Sequence, residues 1–427
     1  LTLTLSRPAR VAGVVVAPGD KSISHRALVL AALATGRSRI EGRAPGQDQE
    51  SMVACLRALG VEVTEATGAT RVHGVGLRGL RSPATDLDCG NSGATMRFLT
   101  GALAGTDGVA ALLAGDASLA RRPMDRVAAP LRLMGADVAT APGGLPPVRV
   151  TGRPLHGAEH DLPVASAQVK TAILLAGLNA DGETVVREPG VSRDHTERML
   201  ARLGVDVTRG AEVRLRPPPS LPMFEMTVPG DPSSAAFWAV LAAAHPHAEL
   251  TIENVCLNPT RAGFLGVLGR MGAVVEMSGA RDVAGEAVAD LHVTSSGLAG
   301  VTVAAAEVPS LVDEVPVLAV AAATATGDSV FHGIGELRVK EVDRLAAIVA
   351  GLQALGVETV VDGDDLTVRG AGGLRGGALL DAGGDHRMAM TWAVAGSLAG
   401  GETTVVGEES AAVSYPGFLA ALAATTN

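Results

Sequence analysis

Aromatic side chains are almost missing from this chain: Phe, Tyr and Trp together make up 2% of its 427 residues. A core must therefore be packed from Ala, Val and Leu, and stacking platforms for single-stranded nucleic acid are not expected. Lysine is nearly absent too, with only Lys21, Lys170 and Lys340. A lysine inside a motif is thus worth reading closely. Cysteine is limited to Cys55, Cys89 and Cys256, far apart and with no CxxC. That spacing suggests neither a disulfide framework nor a zinc knuckle. Positive charge is outweighed, with 35 Lys and Arg against 45 Asp and Glu and a formal charge of −10. This opposes a general nucleic-acid binder but leaves room for a local basic cleft. Apolar runs are broken before they reach a membrane span, so no membrane association is expected. The N-terminal LTLTL precedes Arg7 and Arg10, the reverse of a secretory leader, and the cytoplasm is the expected compartment.

What the chain does have is hydrophobic content of 47%, charged content of 19% and 53 glycines without a G-X-Y period. This is the composition of a globular protein too long for one core. One phrase recurs about every 70 residues: a helix ending in Leu or Met, then Gly, then a Val-rich strand. It reads CLRALGVEV, LRLMGADV, LARLGVDV, LGRMGAVVE and LQALGVETV, with Gly60, Gly135, Gly204, Gly272 and Gly356 as the helix stops. A second phrase runs in phase: a more apolar helix, a polar turn and a strand. Its six helices are expected to begin near Ser22, Ser92, Ser166, Pro232, Val312 and Asp385, and to be covered nearly all round. The sixth copy of the first helix is FLAALAA (418–424), with no strand after it. Leu1–Leu5 alternates as a half-buried strand and can supply the missing one. The expectation is a lobe from 1–18 and 231–427 and a continuous middle lobe from 19–230. Short crossovers near Val15–Asp20 and Pro229–Pro232 would hinge them over a cleft holding the active site.

Chemistry-bearing residues gather at the starts of the apolar helices. Lys21, Ser22 and Arg26 open the first, where free amides and the dipole favour an anion; a plain N-cap with surface charges is the simpler alternative. Cys89-Gly90-Asn91-Ser92-Gly93 opens the second as a glycine-rich turn, again either an anion cradle or a cap. Arg121 and Arg122 precede a proline, and arginine recognises carboxylate or phosphate in bidentate fashion. Ser166 and Gln168 open the third helix, where Ser166 serves equally as an N-cap. The loop after it carries Ser192 and Arg193. In the second half, Asp313 and Glu314 stand at a helix start, which is favourable without any function. Lys340, Glu341 and Arg344 form a dense charged segment, for which a surface salt-bridge network is the plain reading, and Arg387 opens the last apolar helix. Lys21, Arg26, Arg122, Lys340, Arg344 and Arg387 suggest a site for two anionic substrates, with carboxylates and lysines for acid/base work.

Nine segments in order carry a resemblance across almost the whole chain: PGDKSISHRA, GNSGATMR, SLARRPM, SAQVKTAILLAGL, SRDHTERML, VDEVPVLAVAA, LRVKEVDR, DHRMAM and SYPGF. The sequence resembles the 5-enolpyruvylshikimate-3-phosphate synthase (3-phosphoshikimate 1-carboxyvinyltransferase) family of enolpyruvyl transferases. The resemblance implies an inside-out α/β barrel-like fold, two similar lobes each of three βαβαββ-like repeats. It implies transfer of the enolpyruvyl group of phosphoenolpyruvate to the 5-hydroxyl of shikimate 3-phosphate, with release of phosphate, on the shikimate route to chorismate and the aromatic amino acids. The reaction passes through a tetrahedral adduct without metal or organic cofactor, and the expected state is a monomer. Carried onto this chain, Ser22, Arg26, Ser166, Ala167, Gln168 and Ser192 would hold shikimate 3-phosphate, and Lys21 would lie between the substrates. Arg122, Arg344 and Arg387 would clamp phosphoenolpyruvate, with Lys340 and the backbone at Gly93. Asp313, with Lys21, would handle the 5-hydroxyl proton, and Glu341 the proton on the methylene carbon.

Several positions depart from familiar members. Ala167 stands where one branch has Ser, with Arg193 and Lys170 as candidate compensation; Val413 replaces a C-terminal Lys. Glyphosate occupies the phosphoenolpyruvate site in this family; Gly93 is retained here, beside the altered Ala94 and Phe98. The sister enzymes acting on UDP-N-acetylglucosamine use a loop Cys, whereas the loop here reads SLARRPM, and Cys89 is expected to be a core residue. A non-enzymatic paralogue would be expected to lack Lys21, Asp313 or Glu341, and all three are present.

Overall fold

The computed structural model describes residues 1–66 and 68–426. The chain forms two compact units: residues 1–18, 229–282 and 286–427 in one, 19–228 and 283–285 in the other. The second contains helices α1 (Lys21–Leu33), α2 (Gln47–Ala58), α3 (Gly93–Ala104), α4 (Asp125–Leu133), α5 (Ala167–Gly177) and α6 (His195–Arg202). The first contains α7 (Pro232–Ala244), α8 (Gly263–Arg270), α9 (Val315–Thr324), α10 (Arg344–Ala354), α11 (His386–Leu398) and α12 (Phe418–Thr425). Odd-numbered and even-numbered helices are the two recurring phrases.

The apolar helices have no polar face and are buried accordingly. Every residue of α11, and all but one of α3, α7 and α9, is buried. Sheets lie outside them. Four sheets share one strand order, in which a parallel edge pair continues into an antiparallel meander. Leu87–Asp88 pairs in parallel with Ala110–Ala114, which runs antiparallel to Leu145–Thr151 and then Asp137–Ala141. Thr302–Val303, Thr326–Phe331, Asp365–Ala371 and Thr359–Asp362 repeat the pattern. In the sixth repeat, Leu379–Asp381 pairs in parallel with Thr403–Val406, and the antiparallel partner is the N-terminal strand Thr2–Leu5. The chain start thus closes the sheet that the chain end leaves short.

All five stop glycines have left-handed backbones: φ is 91° at Gly60, 93° at Gly135, 80° at Gly204, 90° at Gly272 and 81° at Gly356. A Cβ is disfavoured in that region, which is why the phrase keeps Gly. One expected start is displaced. Val312 is not in a helix; residues 311–314 form a turn and α9 begins at Val315. Pro316 explains the delay, because a proline fits the first helical turn, where its missing N–H leaves no bond unmade. Asp313 and Glu314 are thereby left on the turn ahead of the helix.

Packing between α3 and α5 depends on Gly101. A Cβ there would stand 2.2 Å from the Ala172 carbonyl oxygen, so backbone would have to move. Gly101→Ala is expected to destabilise the fold by about 1–3 kcal/mol, the usual cost of overpacking. Chemical denaturation of purified variant and parent checks it; equal midpoints would refute the close-packing account.

Candidate functional site

The site residues fall into two sets, one in each unit. In the first set, Asp20 caps α1 through the Ile23 N–H at 2.7 Å, which places Lys21 and Ser22 in the opening turn. Lys21 Nζ lies 2.5 Å from Asp48 on α2. His25, one turn on, is buried and ties two helix starts together. Its Nδ1 is 2.8 Å from the Lys21 carbonyl and its Nε2 is 3.1 Å from Ser92 Oγ. Ser92 Oγ also accepts from the Thr95 N–H and hydroxyl. The Gln49 side-chain nitrogen lies against His25 Nδ1.

Ser92 caps α3, and Gly93 is its first residue. Two guanidinium groups converge there. A Cβ on Gly93 would lie 2.8 Å from one Arg97 terminal nitrogen and 3.5 Å from one of Arg122. Arg122 is aimed by Asn91 Oδ1 at 2.5 Å, the Asn91 carbonyl at 3.2 Å and Ser118 Oγ at 3.2 Å. Arg97 donates to the Gln168 side chain on α5. Gly93, Arg97, Arg122 and Gln168 thus form one continuous patch around a helix N-terminus, a fit for an anion.

Ser166 occupies the N-cap position of α5 but makes no side-chain cap bond, leaving its hydroxyl uncommitted to the helix. Ala167 follows as the first helical residue. The Ser166 N–H donates to Glu188 Oε1 at 2.8 Å, and the Ser192 hydroxyl donates to Glu188 Oε2 at 2.7 Å. Arg193 reaches Ser22 Oγ at 3.4 Å. Ser22, Ser166, Ser192, Arg193 and Glu188 are linked in this way across three segments.

Two residues lie differently from expectation. Arg26 does not reach outward beside Ser22. It is buried, donating to Thr196, Thr171 and the Ser22 carbonyl and lying 4.9 Å over the Phe98 ring. Three helices and a ring face satisfy its charge, so it holds α1, α5 and α6 together. Lys170 does not lie open beside a phosphate site. It is wholly buried, 2.8 Å from both Glu188 and Glu197. Burial works against its charge, but the two carboxylates outweigh it and raise its pKa; burial in turn raises that of Glu197.

In the other unit, Arg344 is the hub. It is 1% exposed and touches three carboxylates: Asp385 at 2.8 Å, Asp313 at 3.3 Å and Glu341 at 2.6 Å. Its pKa is raised because Asp385, Glu341 and Asp313 outweigh the burial that opposes its charge. Asp385 also caps α11, accepting the Arg387 and Met388 N–H groups. Arg387 Nη2 lies 3.5 Å from Asp313, and Lys340 Nζ lies 4.0 Å from it. Asp313 thus faces three cations, while Glu341 shares one of them. Lys340, Glu341 and Asp313 remain partly exposed. Such a group can bind an anion on its cations and move protons on its two outward carboxylates.

Sequence reading passed over Arg97, Asp48, Glu188 and Asp385. Arg97 and Asp385 stand inside quoted motifs and were within reach. Asp48 looks like any acid in the first turn of an amphipathic helix, and Glu188 follows a strand with no local signal. Val413 ends a short 3₁₀ turn (Glu408–Val413) and is half-buried. The three cysteines are buried and free of disulfides. Among the described residues, no group of three or more His, Cys, Asp or Glu is placed to hold a metal ion, and no helix is long and apolar enough to cross a membrane.

Buried odd helices with outer sheets, and cationic and hydroxyl groups at the helix starts, are the features of a two-lobe α/β protein of the enolpyruvyl-transferase class. The EPSP synthase (3-phosphoshikimate 1-carboxyvinyltransferase) family model matches residues 5–422. A 3-phosphoshikimate 1-carboxyvinyltransferase of Roseiflexus castenholzii is 50% identical over 420 residues, covering 97% of each chain. One of a Synechococcus species is 52% identical over 413 residues, covering 95% of this chain and 94% of the relative. The solved EPSP synthase of Acinetobacter baumannii superposes with a TM-score of 0.88 at 40% identity, covering 100% of this chain and 98% of the other. The chain belongs to the EPSP synthase family.

His25 gives the helix-start set a pH dependence. Burial lowers its pKa from 6.5 to about 4, with Asp48 opposing. Between those values the unfolded chain binds a proton that the folded chain does not, so stability falls as pH drops from 6.5 towards 4. The loss expected over that window is about 3 kcal/mol. Denaturant unfolding at a series of pH values should show it, and His25→Gln should flatten the slope there. An unchanged slope in the variant would remove His25 as the cause.

Proposed function

We infer that this chain transfers the enolpyruvyl group of phosphoenolpyruvate to the 5-hydroxyl of shikimate 3-phosphate, giving 5-enolpyruvylshikimate 3-phosphate and phosphate. The observation that carries this reading is the family match over residues 5–422. Both proposed proton-handling carboxylates, Asp313 and Glu341, sit on one buried guanidinium. The two sets of residues act on the same substrate pair. Ser22, Ser166, Gln168, Ser192 and Arg193 hold shikimate 3-phosphate, and Arg26 and Ala167 shape that site from behind and at the start of α5. Arg122, Arg344, Arg387, Lys340 and the Gly93 backbone hold phosphoenolpyruvate.

Glu341 protonates the methylene carbon, turning it into a methyl group and leaving positive charge on the neighbouring carbon. The 5-hydroxyl oxygen adds there and gives its proton to Asp313, with Lys21 alongside. Phosphate then leaves the tetrahedral adduct with the bonding electrons, and Glu341 recovers a proton from the methyl group to restore the double bond. Holding both substrates in line supplies much of the rate. The protein is proposed to work as a cytoplasmic monomer; its free, buried cysteines accord with a reducing compartment.

Phosphate release should require both substrates together, without added metal, and should match formation of the enolpyruvyl ether. Release with phosphoenolpyruvate alone, or none from folded protein, would count against the reading. Glu341→Gln should still bind both substrates and lose about 10²–10⁴ in turnover, the range for a positioned acid/base. A variant within about tenfold of the parent would remove Glu341 from that role.

A further inference from the structure

Glu188 is buried behind the shikimate 3-phosphate set and has no part in the chemistry above. Its two oxygens serve two segments. Oε1 accepts the Ser166 N–H at 2.8 Å, and Oε2 accepts the Ser192 hydroxyl at 2.7 Å. The same Oε2 lies 2.8 Å from Lys170 Nζ, which also reaches Glu197 at 2.8 Å, and none of the Lys170, Glu188 or Glu197 side chains is exposed to solvent.

This arrangement does more than neutralise charge. Holding the Ser166 N–H keeps that residue extended, with φ −144° and ψ 99°, and its hydroxyl makes no cap bond to α5. Holding the Ser192 hydrogen fixes that side chain against the same carboxylate. A carboxylate paired with Lys170 and the Ser166 N–H stays satisfied when Ser192 turns its hydrogen towards a ligand. Without Lys170, that turn would leave a buried charge under-compensated, which is costly. The lysine therefore lets Ser192 exchange partners without stranding Glu188.

We propose that Glu188, held by Lys170, is the positioning residue that sets Ser166 and Ser192 for shikimate 3-phosphate. The proposal rests on the functional reading above. It predicts an effect selective for one substrate. Glu188→Gln removes the charge that faces Lys170. Glu188→Asp keeps that charge and shortens its reach, so it is the variant expected to fold if the amide does not.

The test is steady-state kinetics with each substrate varied in turn, alongside calorimetric titration with shikimate 3-phosphate. Glu188→Asp and Glu188→Gln are expected to raise the shikimate 3-phosphate KM and Kd by about tenfold or more, the worth of a charged hydrogen bond. The phosphoenolpyruvate KM and kcat should stay within about threefold. Ser192→Ala should weaken the same KM, and Glu188→Asp/Ser192→Ala should cost less than the sum of the singles, as contacting residues do. Equal rises in both KM values would overturn the proposal. So would unchanged kinetics with a lowered Tm, strict additivity in the double variant, or failure of both Glu188 variants to fold, each of which would make Glu188 a structural residue only. A parent inactive with both substrates would instead refute the functional reading itself.

Discussion

Helices without a polar face must be surrounded, and that requirement organises this protein. Once α3, α7, α9 and α11 are covered along their length, their ends are where backbone groups remain to be satisfied. At the N-terminal ends those groups are N–H donors with a positive dipole end, suited to anions. The sequence places Ser92, Asp231 and Asp385 there as caps, with the candidate residues Gly93 and Arg122 beside the first and Arg344 and Arg387 beside the last. The location of the site is thus a consequence of how the core is built. A helix with one exposed face would have no reason to concentrate its polar partners at one end.

Buried charge follows the same logic. Arg344 and Lys170 are removed from water, and each is tolerated because carboxylates surround it. In both cases a compensating carboxylate has a second task. Asp385 caps α11 while holding Arg344, and Glu188 fixes Ser166 and Ser192 while holding Lys170. Charge compensation and side-chain aiming are accomplished by the same atoms, so removing either partner is expected to disturb both.

Much of this was legible beforehand because the signals were periodic. Gly at the end of each amphipathic helix, and a strand after each apolar one, recur often enough to reveal six units. The chain start could be matched to the sixth because a strand was missing there, and Thr2–Leu5 indeed pairs with Thr403–Val406. Side-chain direction was not legible. Arg26 shares a helix start with Ser22, yet it turns inward to Thr171 and Thr196, partners far away in sequence. Lys170, a candidate with Arg193 to compensate for Ala167, is the centre of a buried triad for the same reason. The start of α9 was missed because Asp313 and Glu314 favour a helix N-terminus in principle, whereas Pro316 sets where the helix begins.

The sharing of Arg344 bears on the proposed chemistry. A guanidinium stays protonated at every accessible pH, so it cannot take part in the proton transfers that pass beside it. It can only respond to the charge around it. On the proposed roles, Glu341 becomes negative when it protonates the methylene carbon. Asp313 becomes neutral when it takes the proton of the attacking hydroxyl. The two changes are opposite in sign and fall on two oxygens bonded to the same guanidinium. The charge facing Arg344 is therefore the same before and after the addition, and Asp385, fixed as the α11 cap, need not change at all. A buried cation that sees constant charge requires no reorganisation during the step, which is what preorganised electrostatic stabilisation demands. The constancy belongs to Arg344: Lys340 and Arg387 also face Asp313 and, being less buried than Arg344, meet its change of charge where solvent can respond.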